Sequence, residues 1–142
     1  MSSRSSSDAA IALNTVLSEV IDLVQDVKQA HRKVPETHAL HAELDQLFDD
    51  LRAWAPLLLE DEKALGGDPL ASMPSVAGRK PPNRWPGAAS DADVSRLVAD
   101  DVDRLRQHVV AALEEQDAEE PRRTLTEIEH SLLEHWQRLN NI

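Results

Sequence analysis

The chain contains no cysteine and no tyrosine. Without cysteine there is no disulfide scaffold, no thiolate zinc finger and no thiol nucleophile. Such a composition fits a reducing compartment. The aromatic residues are Phe48, Trp54, Trp85 and Trp136 alone, too few for a platform that stacks single-stranded bases. Basic residues are also short: 15 Lys and Arg stand against 26 Asp and Glu, giving a net charge of −11. A protein whose main task is to neutralise phosphate needs the opposite balance. No apolar run approaches the roughly 20 residues that span a bilayer. The opening residues Met1–Ser7 hold one basic residue and no apolar segment, so no secretory signal is expected and residues 1–7 read as a short disordered tail.

What the sequence does have is helical periodicity. Leu13, Leu17, Val20, Val24 and Val27 step by four and three, which keeps one apolar seam on a helix from about Asp8 to Arg32. Leu40, Leu44, Leu47, Leu51, Trp54 and Leu58 do the same between about Glu36 and Leu65, with Pro35 able to start that helix and Gly66-Gly67 able to end it. Ser90-Asp91-Ala92-Asp93 is a capping-box signal ahead of Val94, Val98, Val102, Leu105, Val109 and Ala112. A fourth seam, Leu125, Ile128, Leu132, Trp136 and Leu139, follows a helix-start proline at Pro121. No stretch alternates apolar and polar residues as a strand does.

The connections are uneven. Short links around 33–35 and 116–120 make antiparallel helix pairs. Between helices two and three lies the segment 66–89, which carries Pro69, Pro74, Pro81, Pro82 and Pro86. A segment of that length can cross a bundle from end to end. The expected fold is all-α: one four-helix ferritin-like domain over 8–142, two antiparallel hairpins joined by a long crossover. Charge follows the same division. Residues 1–70 and 91–142 each have 6 basic and 13 acidic side chains, net −7, whereas 71–90 have 3 basic and none acidic, net +3.

The candidate chemistry lies in the first hairpin. His31 continues the seam of helix one, four residues after Val27. His41 and Asp45 are one turn apart on helix two. Glu60 falls roughly 60° around that helix from Asp45, and the leucine seam centres about 140° away. His41, Asp45 and Glu60 therefore share a polar face outside the core. Spacing alone leaves two readings open: a solvated face with Arg52 pairing its acidic neighbours, or a metal-binding face that His31 reaches. Imidazole and carboxylate ligands with open positions suit iron or zinc-like divalent ions.

Lys28-Gln29-Ala30-His31, then Leu40-His41 with Asp45 one turn on, then Glu60 and Leu65-Gly66-Gly67, resembles the Dps branch of the ferritin-like family, the miniature ferritins of starved bacteria. The resemblance covers roughly residues 10–140. It implies a hollow cytoplasmic dodecamer built from two-fold dimers, which takes up iron(II), oxidises it, typically with peroxide, and stores it as mineral against oxidative stress. It implies His31, His41, Asp45 and Glu60 as iron ligands. His31 of one subunit and Glu60 of another would carry the ferroxidase chemistry.

There are departures. The family places a second carboxylate one turn before the glutamate, and Pro56 stands there. Proline cannot bind metal, and it removes a helical hydrogen bond, so a kink is expected between Arg52 and Pro56 and a weakened ferroxidase with it. Arg32-Lys33 stand where the family usually has Trp-Asn, and Arg32 or Arg52 could pair with Asp45 or Glu60 in place of metal charge. A second reading follows, a degenerate member without ferroxidase that serves as a structural or partner-binding helical assembly.

The remaining histidines read more plainly. His38 is a loop histidine near His41, and His108 lies beside the third seam. His130 and His135, five apart, point about 140° from each other and cannot chelate together. The acidic run 114–120 is a solvated turn, or in a shell a cation-attracting pore lining. DNA binding in this family often depends on a basic tail. Here Arg4 and the trio Arg79, Lys80 and Arg84 are the candidates, so DNA binding is expected to be weak or absent.

Overall fold

A computed structural model describes residues 6–36, 38–67 and 90–142. Four helices make up the fold: α1 (Ser6–Lys33), α2 (Ala39–Ala64), α3 (Asp91–Glu114) and α4 (Glu119–Asn140). There is no strand among the described residues. α1 packs on α2 and on α3, and α4 packs on α3 and on α2.

Cross-contacts fix the directions. Asn14, early in α1, donates to Glu62, late in α2. Gln116, just past α3, donates to the backbone carbonyl of Ala9. Ser95, early in α3, donates to the carbonyl of Leu139 at the end of α4. Each packed pair is thus antiparallel. The starts of α2 and α3 lie together, with His38 Nε2 3.9 Å from Asp91 Oδ2. α2 therefore ends at one end of the bundle and α3 begins at the other, and the chain between them joins the two ends. This is the expected crossover topology, while residues 68–89 themselves lie outside the described residues.

The helix boundaries follow local chemistry. The Ser90 side chain accepts from Asp93 N–H at 3.1 Å and the Asp93 carboxylate accepts from Ser90 N–H at 3.4 Å, which closes the capping box. α2 begins later than Pro35 suggested. Pro35 lies in the connecting turn, and His38 is the cap, its Nδ1 accepting from Leu40 N–H at 3.1 Å. α2 ends on a Schellman turn: Gly66 takes φ +81° and donates to Lys63 O, while Gly67 donates to Glu62 O. α3 has no basic residue in its last turn; Arg122 from α4 donates to the carbonyls of Leu113 and Gln116, 3.0 Å each.

The leucine and valine seams meet in one core, from Leu13 and Leu44 to Val98, Ile128 and Leu132. One seam assignment is corrected. Trp136 is 37% exposed, and His135 takes the fully buried position beside it. The run 125, 128, 132, 135, 139 alternates three and four throughout, whereas 136 lies one residue, about 100°, around the helix.

Candidate metal centre

Three of the four expected ligands come together in a single chain. His31 lies in the last turn of α1, where carbonyl ends favour positive charge. The short connection after it returns the chain so that the first turns of α2 stand alongside. His41 and Asp45, one turn apart, then face His31. His31 Nε2 is 2.6 Å from Asp45 Oδ1, and His41 Nδ1 is 3.6 Å from Asp45 Oδ2. The two imidazole rings lie 3.9 Å apart at 39°. One ligand atom from each of the three residues falls within 4.8 Å of the others.

The His31–Asp45 contact is short but off the hydrogen-bonding axis, so the enclosed Nε2 has no aligned hydrogen-bond partner. Ligand atoms held by one ion at about 2.0–2.2 Å stand roughly 3–3.5 Å apart. Small side-chain adjustments bring this cluster to that spacing. Two imidazoles and a carboxylate on one side, with open positions toward solvent, form a donor set that suits a divalent transition metal. Asp45 is 58% exposed on its side chain, so the site opens outward from the bundle.

Glu60 is not brought to this cluster within the chain. It lies 15 residues beyond Asp45, about 22 Å along the helix, with a side chain 73% exposed and 3.9 Å from Lys63 Nζ. α2 runs through Pro56 as a continuous helix. The expected pairing of Arg52 with Asp45 or Glu60 is replaced: its guanidinium lies over the Phe48 ring, 5.5 Å from the centroid. Asp45 takes the two histidines as neighbours.

Sequence reasoning missed a second polar constellation. His135, wholly buried, has Nδ1 2.7 Å from Glu43 Oε1 and Nε2 2.7 Å from Asp50 Oδ2. Arg138 Nε donates to Glu43 Oε2 at 2.8 Å. Both ring nitrogens face carboxylate oxygens, and Arg138 Nη2 also lies 3.1 Å from His135 Nδ1. The strict three-four spacing of His135 with Leu125, Ile128, Leu132 and Leu139 was the available signal. Elsewhere His108 Nδ1 is 2.6 Å from Glu19 Oε2, joining α3 to α1, and His130 stays on the surface beside Glu129.

No protein-family model matches this chain, and no curated protein matches it. No helix among the described residues is long and apolar enough to cross a membrane.

Proposed function

We propose that this chain binds iron(II) at His31, His41 and Asp45 and serves as a Dps-like cytoplasmic protein that sequesters iron against oxidative stress. The observation that carries the reading is the convergence of two imidazoles and a carboxylate from two helices within 4.8 Å. In such an assembly, most simply a dodecamer of two-fold dimers, Glu60 of a neighbouring chain would supply the carboxylate that this chain places about 22 Å from its own cluster. Iron is the cargo here, and the three residues hold and orient it. Oxidation needs an acceptor such as peroxide.

A second reading is favoured by Pro56. With no ligand at that position, the chain would keep a single metal ion and the bundle without ferroxidase turnover, and act as a helical assembly or partner-binding protein. Three measurements test these readings, and the oxidation assay separates them. Anaerobic calorimetry with iron(II) is expected to show one ion per chain in the wild type and loss of most of the affinity in Asp45→Ala. Iron(II) oxidation by peroxide is expected to slow in Glu60→Ala, and equal rates would remove Glu60 from the site. Light scattering is expected to give a dodecamer, and a monomer or simple dimer would remove storage from the proposal.

A further inference from the structure

The buried constellation at His135 lies on the same stretch of α2 as the metal centre, on its opposite side. Glu43 sits between His41 and Asp45 in sequence, two residues from each, and so points about 200° around the helix from both. It is buried against α4, where His135 and Arg138 hold its two oxygens. Asp50, a further two turns along, takes the other nitrogen of His135. The first half of α2 is thus tied to α4 at two levels by one imidazole. The second half has a separate tie: Glu62, 1% exposed, accepts from Asn14 of α1 at 3.1 Å. Its backbone carbonyl also accepts from Leu65 N–H and Gly67 N–H at the end of the helix.

Between these two ties stands Pro56. It has no N–H to give the carbonyl of Arg52, and its ring crowds that carbonyl, so the axial coupling of the helix is weakest there. In a helix with every axial hydrogen bond in place, one tie would fix the rotation and register of the whole element. Here each half has its own.

We infer that His135 is a positioning residue for the metal centre. It fixes the rotation of the first half of α2, so that His41 and Asp45 meet His31, a task that the Asn14–Glu62 tie beyond Pro56 does not perform. Packing of the leucine seam sets which face of α2 turns inward, but apolar contact is non-directional and leaves the finer rotation to other bonds. Directional bonds to both ring nitrogens remove that freedom. This inference builds on the iron reading above but concerns the arrangement of His31, His41 and Asp45 whether or not an ion is bound.

The test is a set of variants read two ways. In the metal-free protein, NMR of the histidine ring protons reports the His31–His41–Asp45 arrangement directly. His135→Leu is expected to shift the His31 and His41 resonances, and P56A added to H135L is expected to return them toward wild-type positions by supplying the N–H that Arg52 O lacks. Asn14→Leu with Glu62→Leu is expected to leave them in place. Anaerobic iron(II) titration is the second readout, with affinity expected to fall about tenfold or more in His135→Leu and to recover in the double variant. If His135→Leu fails to fold, E43L/H135L, which removes the buried carboxylate together with its partner, is read instead. Unmoved histidine resonances, or no recovery with P56A, would overturn the inference. A wild type that binds no iron(II) refutes the proposed function, and the resonances still decide this one.

Discussion

Gly66 and Gly67 are adjacent, yet they are required for different reasons. Gly66 has open space around its absent Cβ but a φ of +81°, so its requirement is backbone conformation. Gly67 has no such backbone demand. A Cβ there would lie 2.8 Å from Glu62 Cγ and 3.0 Å from Ala10 Cβ, so its requirement is space at a buried carboxylate. Gly66→Ala is expected to cost about 1 kcal/mol and Gly67→Ala about 1–3 kcal/mol, both read from the urea midpoint. Only the second should also disturb the Asn14–Glu62 bond. The sequence shows the double glycine as a helix stop but does not separate these roles, because the second depends on α1 passing close by. The same limit applies to His135. Its place in the heptad is legible, but Glu43 and Asp50 lie 92 and 85 residues away in the chain, and nothing local names them.

The seams of α1, α2 and α3 and the Ser90 capping box are local patterns, and helices form over them, although α1 begins at Ser6, inside the expected tail. Ser90→Ala should lower stability by about 1 kcal/mol in urea denaturation, because Asp93 N–H loses its acceptor. The start of α2 was harder to read. Histidine is not among the usual capping residues, so Pro35 places the expected start about three residues early, whereas His38 Nδ1 is the actual acceptor. Pro56→Ala should stabilise α2 by up to about 3 kcal/mol, since it restores an N–H at an exposed mid-helix position. The candidate metal ligands are legible as a pattern of types and spacings. Their meeting was legible only because the α1–α2 connection is short. Glu60 sits on the same helix face by angle, but angle says nothing of the 22 Å or so of rise that separates it from Asp45.

Across the whole molecule, both helical hairpins carry a strong negative excess, net −7 for residues 1–70 and for 91–142. That field draws divalent cations toward the bundle and opposes a polyanion. Gel retardation of plasmid DNA at low salt should therefore be weak or absent, and a tight shift would contradict the charge argument. Iron(II) that binds only the folded chain should raise its unfolding free energy by about 2.7 kcal/mol at a hundredfold excess over Kd, visible as a higher melting temperature. The position of the cluster gives a bound ion a mechanical role as well. His31 and Asp45 lie 14 positions apart, on either side of the turn between α1 and α2. An ion bridging them would close a small covalent-like ring in the chain. A disulfide closing a loop of about 15 residues adds roughly 3 kcal/mol by restricting the unfolded chain, whereas the gain from an ion is set by its concentration relative to Kd. In a protein with no cysteine, the hairpin would thus gain a cross-link that reductants leave intact and a chelator can open.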